Sequence, residues 1–219
     1  MKVGILFDLD GTLLDTLEDL YNATNYILRK FGLPERTLDE VRRFVGNGAR
    51  VQITRALPGA EDDPPLEQVL SEYQAYYNAT CKDGTARPYP GVMAALEQLK
   101  KKYPVAVVSN KPDPAVRELS RAYFGDVYAR GVSEDCPRKP APDMVYKAME
   151  ALGVERCVYV GDSEVDVATA KNAGVPCLTV LWGFRDEEML AQAGAEHFCR
   201  KAEDMPAMLD AIVREELGA

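Results

Sequence analysis

The chain has 219 residues, of which 47% are hydrophobic, and a formal net charge of −9. This length and apolar content predict one core, or a core with a smaller insert, and argue against disorder. The negative charge, with no cluster of Lys and Arg, excludes nucleic acid as a partner. No apolar stretch is long enough to span a bilayer, so we expect no membrane partner.

Cysteine and histidine usage narrows the possible chemistry. The five cysteines are widely spaced and form no C-x-x-C pair. This pattern fits neither a disulfide framework nor a zinc knuckle, and it favours a cytoplasmic location. The single histidine, His197, excludes two-histidine zinc hydrolysis, and a Ser-His-Asp triad would depend on that one residue.

Short apolar runs alternate with amphipathic segments along the chain. This alternation predicts an α/β fold, a three-layer core around a Rossmann-like parallel sheet. The runs are rich in Val, Ile, Leu or Tyr and lack alternating polar residues, as expected for strands buried on both faces. The predicted strands are Lys2–Phe7, Val105–Val108, Val127–Gly131, Cys157–Val160 and Cys177–Leu181.

The separation between the first two predicted strands is far longer than one crossover connection needs. We therefore predict an α/β core made of residues 1–14 and 88–219, and a small helical cap of residues 15–87 inserted after the first strand. The cap helices are predicted, between Gly and Pro breaks, at Leu17–Phe31, Leu38–Val45, Ala49–Leu57 and Leu66–Thr80.

Three polar clusters directly follow predicted strands. They are Asp8 to Thr12, Ser109 to Lys111, and Gly161 to Ser163 with Asp166 nearby. Ligands of open parallel sheets bind at the carboxyl ends of the strands. We therefore expect these clusters to converge in space although they are far apart in sequence.

The first cluster pairs two acids, Asp8 and Asp10, at the end of a strand. Two neighbouring carboxylates need a compensating charge, and oxygen ligands without histidine favour Mg²⁺ over zinc. Asp162 could supply a further oxygen, and the turn at Gly11 and Thr12 suits a bound phosphate. A calcium loop is excluded because its sixth position must be glycine and here is Leu13. A nucleotide-sugar site or simple turn chemistry stays open.

The other polar residues have structural alternatives. Ser109 and Asn110 could cap the next helix, although a helix N-terminus beside a serine is also an anion site. Lys139 could be a solvated surface lysine or could neutralise a phosphate. Asp162 and Asp166 could simply stabilise a helix N-terminus.

Taken together, four motifs resemble those of the haloacid dehalogenase superfamily. They are D-L-D-G-T at Asp8–Thr12, S-N at Ser109–Asn110, K-P at Lys139–Pro140 and G-D-S-x-x-D at Gly161–Asp166. The resemblance implies an Mg²⁺-dependent phosphatase. Asp8 would be the nucleophile that forms an aspartyl-phosphate, and Asp10 the general acid and then the general base.

The resemblance also implies how the remaining motif residues act. Mg²⁺ would be bound by Asp8, the backbone carbonyl of Asp10 and Asp162, with Asp166 as a support or outer-sphere ligand. The implied phosphate-binding residues are Thr12, Ser109, Asn110 and Lys139.

Within the superfamily, the run Gly46-Asn47-Gly48, followed by Arg55, resembles the phosphoglycolate phosphatase subgroup. This implies a small phosphorylated substrate, 2-phosphoglycolate, read by Gly46, Asn47, Gly48 and Arg55. These residues could equally form an inter-helix turn and face solvent.

Several alternatives to this function stay open. They are a phosphosugar mutase of the β-phosphoglucomutase kind, a pyrophosphatase or nucleotidase, and a non-catalytic phosphate-binding module. We expect a monomer or a homodimer.

Overall fold

The computed structural model describes residues 2–59, 65–81 and 84–218. The chain divides into two compact units. The first consists of Met1–Asp15 and Pro88–Ala219, and the second of Thr16–Arg87. Each unit is described below by itself.

The strands and helices alternate along the first unit. The strands of the chain are β1 (Val3–Phe7), β2 (Leu14–Asp15), β3 (Arg87–Pro88), β4 (Val105–Pro112), β5 (Tyr128–Val132), β6 (Arg156–Gly161), β7 (Cys177–Val180) and β8 (His197–Cys199). The helices are α1 (Leu17–Lys30), α2 (Leu38–Phe44), α3 (Gly48–Ala56), α4 (Leu66–Thr80), α5 (Val92–Lys100), α6 (Asp113–Phe124), α7 (Asp143–Leu152), α8 (Glu164–Ala173), α9 (Glu187–Gln192) and α10 (Met205–Glu216). A short 3-10 helix, Ala202–Asp204, precedes α10.

A six-stranded sheet in the order β5-β4-β1-β6-β7-β8 forms the centre of the first unit. Its neighbouring strands are paired in parallel. The parallel α/β sheet predicted from the sequence is therefore confirmed. The chain order reverses at β1, which lies between β4 and β6, so this is a point where ligands bind in open α/β sheets.

Alternate residues of the central strands belong to different apolar clusters. In β1, Ile5 and Phe7 pack in one cluster, and Leu6 packs in the other. The first cluster also contains residues of α5 and α10, whereas the second contains residues of α7. This period of two confirms strands buried on both faces, with helices forming the outer layers.

Two strands differ from their predicted bounds. β4 was predicted to end at Val108 but continues to Pro112, because its pairing with β5 resumes at Pro112 and Val132 after a register shift. β5 spans Tyr128–Val132, one residue later than predicted. The register shift lies in the segment that carries Ser109, Asn110 and Lys111, and such irregularities redirect side chains.

The second unit consists of α1 to α4. Thr37 begins α2 with a capping box, in which its side chain accepts from the Glu40 amide and the Glu40 side chain accepts from the Thr37 amide. Asp19 of α1 accepts hydrogen bonds from the amides of Thr85 and Ala86, at 2.6 and 3.0 Å. These bonds tie together the two ends of the unit. None of the described helices combines the length and the apolar character needed to cross a membrane.

Candidate active site

Three acids meet at the carboxyl ends of adjacent strands. Asp8 follows β1, Asp162 follows β6, and Asp166 lies in the first turn of α8. One carboxylate oxygen from each lies within 4.8 Å of the other two. All three side chains are buried. The topology thus brings together residues that are more than 150 positions apart.

Lys139 joins two of these acids. Its side chain is only 2% exposed, and its ammonium Nζ lies 2.8 Å from Oδ1 of Asp8 and 2.7 Å from Oδ1 of Asp166. Nζ also donates to the phenol oxygen of Tyr159 at 3.0 Å. Burial opposes the charged form, but Asp166 and Asp8 outweigh it and raise the pKa of Lys139. The alternative of a solvated surface lysine is therefore wrong.

The carboxyl of Asp8 is held on one side only by these contacts. Its Oδ1 accepts from the amide of Leu9 at 2.7 Å as well as from Lys139. Burial, followed by the charge of Asp166, raises the pKa of Asp8 to about 7, against the opposing effect of Lys139. The protein alone thus leaves negative charge at this position incompletely compensated.

Asp162 is fixed by two donors. Its Oδ1 accepts from the hydroxyl of Thr12 at 3.1 Å, and its Oδ2 accepts from the amide of Phe184 at 2.7 Å. Burial, and then the charges of Asp166 and Asp8, raise the pKa of Asp162 well above its ordinary value.

Glycines pack closely around Asp162. A Cβ added at Gly11 would lie 2.2 Å from its Oδ2, and one added at Gly183 would lie 2.3 Å from it. Gly11 also has a φ of +80°, which favours glycine. The site therefore has room for the Asp162 carboxylate only because these two residues lack side chains.

The carboxylates of Asp8 and Asp162 fit a divalent cation. They are buried and near one another, their protonated forms are favoured when no cation is present, and the cluster contains only oxygen donors. Oxygen ligands suit a hard cation such as Mg²⁺.

Asp166 is already occupied by protein donors. Its Oδ2 accepts from the hydroxyl of Ser163 at 2.6 Å and from the Ser163 amide at 3.1 Å. Its Oδ1 accepts from Tyr159 at 3.0 Å, in addition to the contact with Lys139. The two bonds with Ser163 form a capping box at the start of α8, as helix-terminus chemistry predicts. These contacts favour a supporting role for Asp166 over direct binding of a cation.

Asp10 lies outside the cluster of three acids. Its Oδ1 is 3.0 Å from the Nζ of Lys111, and both side chains are largely buried. The four-acid metal set that the resemblance implied is thus represented by three carboxylates, and the carboxylate of Asp10 pairs with a lysine. Sequence reasoning did not select Lys111 as a site residue, although its position two residues after Ser109 on a strand was a usable signal.

Ser109 and Asn110 serve different contacts. Ser109 is buried, and its hydroxyl accepts from the amide of Lys111 at 3.3 Å. The side chain of Asn110 donates to the carbonyl of Lys139 at 3.1 Å and accepts from its amide at 2.7 Å. The alternative that these residues cap the next helix is wrong, because β4 continues through them and Pro112 is the N-cap of α6. Asn110 instead positions the segment that carries Lys139.

Thr12 is held from two sides. Its hydroxyl donates to Asp162, and its carbonyl accepts from the indole of Trp182 at 3.0 Å. Trp182 also packs against the larger apolar cluster. The turn after β1 is therefore anchored to the segment after β7.

The predicted cap residues all lie in the second unit. Asn47 is the N-cap of α3, and it lies between Gly46 and Gly48, whose φ angles are +110° and +81°. Nη1 of Arg55 lies 3.3 Å from the carbonyl of Arg43, near the end of α2. The glycines therefore form a tight inter-helix turn, and Arg55 supports the end of a helix within its own unit.

Comparison with known proteins agrees with this geometry. The haloacid dehalogenase-like hydrolase family model matches residues 5–180. A phosphoglycolate phosphatase from Rhodobacter capsulatus is 34% identical over 205 residues, which cover 90% of this chain and 93% of that protein.

Solved structures share the fold. One from Lactobacillus delbrueckii subsp. bulgaricus is 34% identical with a TM-score of 0.88, covering 94% of this chain and 97% of that one. CbbY from Rhodobacter sphaeroides, solved in complex with phosphate, is 27% identical with a TM-score of 0.78, covering 96% of this chain and all of that one, 100%. The chain therefore belongs to the haloacid dehalogenase-like hydrolases and is a phosphatase related to the phosphoglycolate phosphatases.

Proposed function

We propose that this phosphatase is magnesium-dependent and hydrolyses 2-phosphoglycolate through a phosphoryl group carried on Asp8. One observation carries the proposal: a single buried cation, Lys139, lies within hydrogen-bond distance of Asp8, whose carboxylate neighbours that of Asp162. Hydrolysis of phosphate monoesters is very slow without a catalyst, and an enzymatic nucleophile divides it into two easier steps.

In the first step, an oxygen of Asp8 attacks phosphorus and the ester oxygen leaves. Lys139 contacts Oδ1 of Asp8, so Oδ2 is the oxygen proposed to form the new bond. Asp10 gives a proton to the leaving oxygen. In the second step, Asp10 accepts a proton from water as the water oxygen bonds to phosphorus and the bond to Asp8 breaks.

Charge on the transferring phosphoryl oxygens needs positive charge and donors around it. Lys139 supplies the charge, and the hydroxyl of Ser109, the amide of Asn110 and Thr12 supply donors. When bound by Asp8, the carbonyl of Asp10 and Asp162, Mg²⁺ would add charge stabilisation at the phosphoryl oxygens. Asp166 would hold Lys139 and the Asp162 backbone in place.

The substrate assignment rests on the similarity to a phosphoglycolate phosphatase and on the chain's cap-like second unit. We propose that Thr16–Arg87 is a cap whose Gly46, Asn47, Gly48 and Arg55 contact the part of the substrate that leaves. Arg55→Ala should then raise KM for phosphoglycolate far more than for 4-nitrophenyl phosphate. Equal changes for the two esters would assign Arg55 to helix support alone.

The direct test is release of inorganic phosphate from a panel of esters with and without Mg²⁺. The panel contains 2-phosphoglycolate, hexose phosphates, nucleotides and pyrophosphate, and products are identified by NMR. The expected result is the highest kcat/KM for phosphoglycolate, no activity in EDTA and no activity in Asp8→Asn. Isomerised hexose phosphate without phosphate release would instead identify a mutase, and metal-independent activity would contradict the proposal.

A further inference from the structure

Lys111 and Asp10 form a buried ion pair beside the proposed nucleophile. Nζ of Lys111 lies 3.0 Å from Oδ1 of Asp10, and the lysine side chain is almost as buried as that of Lys139. Desolvating a lysine is costly unless it is paired. A lysine kept at such a position is a candidate for a function beyond the surface.

The backbone of β4 explains why Lys111 points to this place. Ser109 and Lys111 are buried, whereas Asn110 between them is half-buried and bonds to the backbone of Lys139. Residues two apart on a strand face the same side. The register shift between Val108 and Pro112 falls on this segment, so the strand continues far enough to direct both side chains toward the site.

We infer that Lys111 is a positioning residue for Asp10, selecting which of its two oxygens transfers protons. This inference rests on the proposed role of Asp10 as general acid and base. Lys111 donates to Oδ1. In the protonated form of Asp10 the proton then resides on Oδ2, and Oδ1 acts as the carbonyl-type acceptor.

The proton balance of both steps follows from this assignment. In the first step the proton of Oδ2 moves to the ester oxygen as the ester P–O bond breaks and the bond from Asp8 to phosphorus forms. In the second step a water proton moves to Oδ2 as the water oxygen bonds to phosphorus and the bond to Asp8 breaks. The contact between Lys111 and Oδ1 persists throughout, so Asp10 needs no rotation between steps.

Leaving-group dependence distinguishes this role from a general structural one. A poor leaving group needs the proton in the transition state, whereas a good one leaves as an anion. The value of kcat/KM reports only the steps through departure of the leaving group. We would therefore compare phenyl, 4-nitrophenyl and 2,4-dinitrophenyl phosphate, which have similar shapes, in wild type, Lys111→Met and Lys111→Arg.

General acid–base catalysis contributes about 10²–10⁴-fold, so losing its alignment should lower kcat/KM of Lys111→Met for phenyl phosphate by ~10-fold or more. The value for the dinitrophenyl ester should change by less than about 3-fold, because that ester needs no acid. Lys111→Arg keeps a cation and should recover part of the loss. In an Asp10→Asn background, Lys111→Met should cause little further loss, because Lys111 acts through Asp10.

The control is Lys102→Met, which removes another lysine–aspartate pair of the first unit, that with Asp210. It should leave all three esters unchanged. Equal losses for all three esters in Lys111→Met, or full additivity with Asp10→Asn, would overturn the inference while leaving the proposed function intact. Failure of the proposed function would show differently, as wild-type activity that needs neither Mg²⁺ nor Asp8.

If Lys111→Met does not fold, Lys111→Arg and Lys111→Gln are compared in the same series, with circular dichroism as the check of folding. A steeper dependence on the leaving group in Lys111→Gln than in Lys111→Arg supports the inference. Identical slopes in both variants and in wild type would overturn it.

Discussion

Asp8 and Asp166 share one ammonium group, that of Lys139, at 2.8 and 2.7 Å. Because all three groups are buried, removing the cation leaves two carboxylates close together without compensation. Breaking a buried pair in this way typically costs about 3–5 kcal/mol.

Lys139→Met should therefore lower the free energy of unfolding by about 3 kcal/mol or more in EDTA, measured by urea denaturation. Mg²⁺ should return part of this loss, because the cation compensates the same acids. Phosphatase activity should stay lost in both conditions. A variant as stable as wild type in EDTA would contradict the described pairing.

The raised pKa of Asp8 predicts a pH-dependent stability of the metal-free protein. Its pKa is about 7 when folded, against an ordinary value of 3.8, so the folded state binds this proton more tightly. The stabilisation is complete at pH values below the ordinary pKa and is lost as the pH rises through about 7. In EDTA, the stability of wild type should fall from pH 5 to pH 8 relative to Asp8→Asn, which cannot titrate. Parallel profiles of the two proteins would contradict a raised pKa.

Metal binding should show the opposite dependence on pH. Mg²⁺ competes with protons on Asp8 and Asp162, both of which have raised pKa values. At a concentration 100 times its Kd, a ligand of the folded state adds about 2.7 kcal/mol of stability. The increase in Tm on adding Mg²⁺ should be larger at pH 8 than at pH 6. Asp162→Asn should abolish it, whereas an equal increase in that variant would place the cation elsewhere.

Tyr159 provides a test of the network behind Lys139. Its hydroxyl accepts from Lys139 and donates to Asp166, each at 3.0 Å. Tyr159→Phe keeps the ring but removes both bonds, and bonds with charged groups are worth about 1.5–3 kcal/mol. We expect lower stability and a kcat reduced by about 10-fold if the ammonium loses ~1.4 kcal/mol of orientation. 

The matched control is Tyr103→Phe, which removes a 2.8 Å bond to Asp210 within the same unit. It should also lower stability, but kcat should be unchanged. A similar loss of kcat in both variants would show that stability, and not the position of Lys139, controls the rate.

The sequence predicted the fold because its strands are strongly apolar. Buried runs such as that ending at Phe7 are long enough to be found without alignment, and each is followed by polar residues at the strand end. The end of β4 was missed for a local reason. A strand containing Asn110, Lys111 and Pro112 contradicts residue preferences, and only the renewed pairing with β5 keeps it extended.

The convergence of Asp8, Lys139 and Asp162 follows from topology and was predictable. The contacts of Lys111 and Tyr159 were not predicted, because each depends on which way one side chain points. Both left a signal: Lys111 is two residues from Ser109 on one strand, and Tyr159 places a phenol in a buried strand, where its hydroxyl needs a partner. Arg55 shows the converse, since its contact near the end of α2 is local and was read from sequence only as solvent exposure.

The central claim is tested most directly by trapping the phosphoryl group on the protein. Wild-type enzyme is mixed with Mg²⁺ and 2-phosphoglycolate, quenched in acid within one turnover, digested and analysed by mass spectrometry. The account predicts a phosphoryl group on the peptide that contains Asp8, at that residue, and none in Asp8→Asn. Phosphate release at the normal rate with an unmodified Asp8 peptide, or with the phosphoryl group on another residue, would contradict it.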